Sequence, residues 1–418
     1  MIEKITLPNG VRIVYEKIPY VRSASVGIWV ESGSRHEPAA LNGISHFIEH
    51  MVFKGTDTKS ASEIAHIMDS IGGQVNAFTT KEHTSFYLKT LDTHLETGMQ
   101  VLFDIFFSPR FDEKDVKTER GVILEEIGMY EDDPEDLASE RFFQSVFRKT
   151  SLGRLILGSR RTLEKIDGET MRRYRNEHYL PQSTVVALSG SFSDDHIACI
   201  KERFSEMKGD GTLPRGKTNY TCSFSVKRKN TEQNHICLGF PAYDILSPRR
   251  YDMQVLSSLV GGGMSSRLFQ KVREEKGLCY SIYSFLSPHF DVGLFCICVG
   301  LNKSSEEEAM NVVCSELHDL QRNHITKDEL QRAREQIKAN VLMSLESTAS
   351  RMNHLARSEI VYRNILRPEE IIAAYDAVTE ESVLGAAREI FDFDRLSLSA
   401  VGKISDEKTY RQYADRGC

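Results

Sequence analysis

No segment of this 418-residue sequence approaches the 18 consecutive apolar residues of a membrane-spanning helix, so no such span is expected. The opening MIEKITLPNGVRIVYEK has neither the apolar core of a secretory signal nor the Arg-rich, acid-poor character of a transit peptide. A cytoplasmic protein is expected, unless a leader was removed ahead of this numbering. An excess of basic charge is also missing. Lys and Arg number 53 against 60 Asp and Glu, a net charge of −7, which offers no field to attract nucleic acid. Cysteine is absent from the first 198 residues. The eight that occur (Cys199, Cys222, Cys237, Cys279, Cys296, Cys298, Cys314 and Cys418) contain no C-x-x-C pair. Reduced thiols acting as small apolar residues are expected, with Cys296 and Cys298 on one strand face in GLFCICVG. The glycines at 261–263 are followed by no Gly-Lys-Ser/Thr, which excludes a phosphate loop.

The composition, 40% hydrophobic and 27% charged, is that of a globular protein. The chain is too long for one ordinary core. ITLPNGVRIVYE alternates around Asn9-Gly10 and predicts a hairpin with a two-residue turn. SASVGIWVESG predicts a third strand, and SASEIAHIMDSIGG a helix capped by Ser60 and closed by glycines. VNAFTTKEHTSFYLKTL reads as two strands. FDEKDVKTERGVILEEIGMYEDDP reads as a long charged helix. Residues 208–219 are rich in Gly, Pro and Lys and predict a linker between domains at 1–207 and 220–418. Both halves run strands, helices, strands, an apolar helix, a turn and a charged helix. They read as diverged copies with an α+β fold, each a mostly antiparallel sheet with helices packed on it. In a gapless comparison of the charged helices, Glu119 falls opposite Ala333 and Glu126 opposite Asn340. The candidate chemistry survives in the first copy alone.

That chemistry begins at ISHFIEHMVFKGT (44–56). Positions i and i+4 of a helix lie about 40° apart and roughly 6 Å along the axis. His46 and His50 can therefore aim two nitrogens at one zinc ion, and Glu49 reaches the edge of such a site as a proton acceptor. Composition alone gives about 0.06 chance matches to His-x-x-acid-His per chain. A third ligand is needed, and the charged helix offers Glu119, Glu125 and Glu126. Seven residues bring Glu119 and Glu126 to nearly one face, and Glu125 lies about 100° off it.

HFIEH followed by ERGVILEE resembles the inverted-motif zinc metallopeptidases, the pitrilysin and mitochondrial-processing-peptidase family (M16). The resemblance extends over essentially the whole chain. VNAFTTKEHTSFY is similar to that family's substrate-binding edge strand, and GGGMSSRLFQKVREEKGLCYSIYS to its C-terminal segment. The length resembles the short, bacterial-type processing proteases. The resemblance implies one zinc per chain held by His46, His50 and Glu126. It implies that Glu49 activates the water and that Glu119 supports the site by orienting His50. It implies that Asn76, Ala77 and Phe78 receive an extended peptide substrate, and that Arg273 and Tyr280 contact substrate carbonyls or the tetrahedral intermediate. In a homodimer arranged like the doubled members of the family, Arg273 and Tyr280 would complete the other subunit's site. The alternative is a non-catalytic or partner-dependent peptide-binding subunit. The three glycines at 261–263 are a shorter run than the glycine-rich loop of the family's non-catalytic subunit, which argues against presequence-type selectivity.

Overall fold

The computed structural model describes residues 2–214 and 216–415; Cys418 lies outside them. Among the described residues, six strands form one sheet and five another. The first contains β1 (Ile2–Thr6), β2 (Arg12–Lys17), β3 (Ser23–Val30), β4 (Gln74–Thr79), β5 (Thr84–Leu91) and β6 (Thr184–Gly190). The second contains β7 (Phe224–Arg228), β8 (Asn234–Ala242), β9 (Cys279–Pro288), β10 (Gly293–Leu301) and β11 (Ser397–Gly402).

The strand orders are β1-β2-β6-β3-β5-β4 and β7-β11-β8-β10-β9. Without β1 they coincide strand for strand. Each holds one parallel pair, β2 with β6 and β7 with β11, and is otherwise antiparallel. The duplication expected from the sequence is therefore present as shared topology. The α+β class and the two similar halves are as expected.

The β1–β2 connection corrects one local expectation. Thr6 pairs with Arg12. The Gly10 N–H donates to the Leu7 carbonyl at 2.9 Å, and Gly10 sits at φ +94°. The turn thus centres on Pro8 and Asn9, with Gly10 in the left-handed position after it. Proline's fixed φ suits the first central residue, so the two-residue Asn9-Gly10 turn gives way to a longer one.

The chain forms two compact units, residues 1–127 with 154–216 and 343–365, and residues 128–153 with 217–342 and 366–418. The first unit packs α1 (Ile44–Met51), α2 (Ala61–Ser70) and α3 (Leu95–Phe107) on its sheet. Ile44, Phe47 and Ile48 meet Val26, Ile28, Val186, Leu102 and Phe106 in one buried cluster. The opposite sheet face takes the helix Thr348–Tyr362. There Ser25 Oγ lies 3.0 Å from Thr348 Oγ1, and Arg351 pairs with Glu16 at 2.9 Å. In the second unit the matching face is covered by α5 (Pro134–Val146), which follows α4 (Glu113–Asp132). Asp133 caps α5 by accepting the Glu135 and Asp136 N–H groups. Phe142 and Val146 of α5 pack on Cys237, Cys296 and Cys298, which line one sheet face as apolar filling. All seven described cysteines are free thiols.

Candidate metal centre

The histidines ride on α1, whose start is tightly specified. Gly43 precedes it at φ +99°, where a Cβ would stand 2.7 Å from the Leu157 carbonyl oxygen. The buried Glu37 carboxylate accepts N–H groups from Gly43 at 2.8 Å and Ser45 at 2.9 Å, and the Asn42 amide at 2.8 Å. These bonds satisfy donors that a helix start leaves without partners. Burial pushes the Glu37 carboxyl up, and the hydrogen bonds pull against that. Ile44, Phe47, Ile48 and Met51 anchor the inner face of α1. That packing fixes the direction in which His46 and His50 project. Their ring centroids lie 4.5 Å apart at 60°.

The acids come from α4, which buries Val116, Glu119 and Ile123 at helical spacing. Glu126 follows Glu119 by two turns, on the same face. Its Oε2 lies 3.6 Å from His46 Nε2 and 3.6 Å from His50 Nε2. Glu125 is exposed. Glu119, 4% exposed, has Oε1 2.9 Å from His50 Nδ1, and Lys54 Nζ stands 2.6 Å from its Oε2. The two α4 carboxylates therefore meet opposite sides of the same imidazole.

Candidate ligand atoms of His46, His50 and Glu126 all lie within 4.8 Å of one another. Tetrahedral zinc with bonds of about 2.0–2.1 Å sets its donors about 3.3–3.4 Å apart, close to the two observed separations of 3.6 Å. Glu126 Oε2 is buried and receives no hydrogen bond among the described residues. Burial, with the His50 ring adding to it, brings His46 down to about 4, so its ring is neutral at pH 7. Two imidazole Nε2 atoms and a carboxylate oxygen that receives no hydrogen bond, converging at these separations, fit a zinc ion.

Glu49 is half-buried beside this cluster. Burial pushes its carboxyl up, against hydrogen bonding from Thr79 and the charge of His50. A carboxylate tuned upward is better matched to proton transfer near neutral pH. Burial likewise raises Glu126, and His50 opposes it.

Asn76, Ala77 and Phe78 lie on β4, the edge of the first sheet, paired with β5 on one side. The Ala77 N–H donates to the Asn76 side-chain oxygen at 2.8 Å. Next to β4 is a cavity of about 470 Å³ lined by Phe53, Ile64, Met68, Val75 and Tyr87. Sequence reasoning did not anticipate it. The apolar i, i+4 spacing of Ile64 and Met68 on α2 was its available signal. Arg273 and Tyr280 belong to the other compact unit. Arg273 lies in a π-helical turn, Phe269–Glu274, with its guanidinium 4.7 Å from the Phe269 ring and 5.6 Å from the Tyr280 ring. Tyr280 is 71% exposed. Lys54 and Glu37 were also unanticipated, because their partners lie 65 positions later and five to eight positions later.

Comparison with known proteins adds independent findings. Residues 12–160 match the family "Insulinase (Peptidase family M16)", and residues 165–337 match "Peptidase M16 inactive domain". The chain is 43% identical over 396 residues to the uncharacterized zinc protease YmxG of Bacillus subtilis, covering 94% of this chain and 97% of that protein. It is 38% identical over 422 residues to an uncharacterized zinc protease of Streptomyces coelicolor, covering 98% and 91%. The fold is similar to a crystal structure titled as a peptidase M16 inactive domain from Pseudomonas fluorescens, with TM-score 0.90 at 18% identity over 97% of this chain and 98% of that one. It is also similar to a protease from Helicobacter pylori, with TM-score 0.88 at 20% identity over 96% and 99%.

Proposed function

Because the chain belongs to peptidase family M16, the insulinase family, we propose that it is a zinc metalloendopeptidase acting on extended or unfolded peptides. His46, His50 and Glu126 hold one zinc ion. The observation that carries this reading is Glu126 Oε2 lying 3.6 Å from both histidine Nε2 atoms, with Glu49 alongside.

Zinc, when bound, supplies Lewis acidity toward the scissile carbonyl and the attacking water. Glu49 takes the proton of that water and later returns it to the leaving amine. Glu119 holds the His50 ring so that Nε2 faces inward. Residues 76–78 on β4 pair with the substrate backbone, a sequence-tolerant mode of holding, and the neighbouring cavity takes an apolar side chain. In this division of labour residues 1–207 carry the chemistry and 220–418 supply substrate contacts, with 208–219 between them. Arg273 and Tyr280 of a partner subunit in a homodimer steady the carbonyl oxygen as charge develops on it. The bacterial relatives are compatible with action in a bacterial cytoplasm.

The test is cleavage of a broad peptide library and of folded proteins by the purified chain, with and without a chelator. Chelator-sensitive cleavage restricted to unfolded peptides supports the proposal. A zinc-loaded chain that cuts nothing until a second protein is added would assign it to the partner-dependent subunits.

A further inference from the structure

Lys54 takes no part in the chemistry above, yet it touches the group that touches the zinc site. It follows α1, with its N–H on the Met51 carbonyl at 3.0 Å. Its Nζ lies 2.6 Å from Glu119 Oε2, an ionic contact outside hydrogen-bond angles. The Glu119 side chain is 5% exposed and that of Lys54 38%. Glu119's other oxygen is 2.9 Å from His50 Nδ1, and His50 Nε2 faces Glu126 at 3.6 Å. The contacts run in series from Lys54 through Glu119 and His50 to the metal side of the imidazole.

We propose that Lys54 is a positioning residue of the metal centre. It pins one oxygen of Glu119 so that the other fixes the ring plane and tautomer of His50. An acceptor-only carboxylate can accept from His50 only when the proton sits on Nδ1, and that leaves the Nε2 lone pair inward. A buried carboxylate with no cation beside it is costly and free to turn, and the imidazole it orients would turn with it. The bland alternative is a lysine that merely complements the C-terminal end of α1. That alternative predicts an effect independent of Glu119. The 2.6 Å contact with Glu119 favours the serial arrangement.

The inference rests on the zinc-site reading, and its test separates the two. Lys54→Met, Lys54→Arg, Glu119→Gln and the double variant Lys54→Met/Glu119→Gln are compared with wild type. Zinc affinity is read by competition with a chromophoric chelator. The His50 tautomer is read from side-chain ¹⁵N shifts in zinc-free protein, and folding from unfolding midpoints. Lys54→Met is expected to bind zinc about tenfold more weakly. Its His50 signals should move from the Nδ1–H pattern toward a mixture. Lys54→Arg should keep both properties, and Lys54→Met should add nothing in the Glu119→Gln background. Unchanged affinity and tautomer in a folded Lys54→Met protein overturn the proposal. So does a full loss that persists without Glu119. If wild type binds no zinc, the zinc-site reading fails, and the tautomer in the zinc-free protein decides the role of Lys54 by itself.

Discussion

Glu119 Oε1 lies 2.9 Å from His50 Nδ1 while Glu126, seven residues on, presents Oε2 to the opposite nitrogen of the same ring at 3.6 Å. One helix face thus offers one carboxylate to orient a ligand and another to serve as one. Removing them should have different consequences. Glu126→Gln should abolish tight zinc binding. Glu119→Gln should weaken it about 10–100-fold and leave the stoichiometry at one. Equilibrium dialysis distinguishes the two, and equal losses would contradict the division.

Glu49 should be separable from metal binding. Glu49→Gln is expected to keep its zinc and lose about 10²–10⁴-fold in kcat, the range for a positioned general base. Metal analysis and peptide kinetics on the same preparation check this.

A test of subunit geometry follows from the placement of Arg273 outside the unit that contains His46, His50 and Glu126. Glu49→Gln and Arg273→Ala are each expected to be nearly inactive. If sites are completed in trans, a mixed dimer carries one intact site, and random exchange should restore about a quarter of wild-type activity. Completion within one chain would leave every mixed site with a defect and restore nothing.

Much of this centre was legible in the sequence because helix geometry is local. HFIEH fixes two imidazoles on one face, and a spacing of seven brings Glu119 and Glu126 together. The shared topology of the sheets was legible as a repeated order of elements. What was not legible depends on contacts between distant segments. Lys54 acquires its role from Glu119, 65 positions later. The helix Thr348–Tyr362 joins the first sheet from far along the chain. The β1–β2 turn departs from the Asn9-Gly10 signal because Pro8 outweighs it.

Gly43 predicts a structural cost with a functional echo. Gly43→Ala places a Cβ 2.7 Å from a carbonyl oxygen at φ +99°, and should cost about 1–3 kcal/mol. Because α1 begins there, zinc affinity should fall together with the urea midpoint. A stable Gly43→Ala protein with wild-type affinity would contradict the account of how α1 is anchored.

Acid should destabilise the zinc-free protein through histidines that burial keeps neutral. Burial brings His83 down to about 4, with Arg357 adding to it and Glu82 opposing. Its unfolded value is about 6.5, so between those values the unfolded chain binds more protons and stability falls as pH falls. At pH 5 this amounts to at most about 2 kcal/mol. His83→Gln should flatten the dependence of the urea midpoint between pH 7 and pH 5. An unchanged slope would remove His83 from the explanation.

The central claim is that a single zinc ion at His46, His50 and Glu126 drives peptide hydrolysis with Glu49 as the base. Its most direct test is activity followed while zinc is returned stepwise to metal-free protein. Cleavage should be absent at the start, rise in proportion to zinc and saturate at one ion per chain, and Glu49→Gln should take up the same ion in silence. Cleavage by the metal-free chain, or wild-type rates from Glu49→Gln, would contradict it.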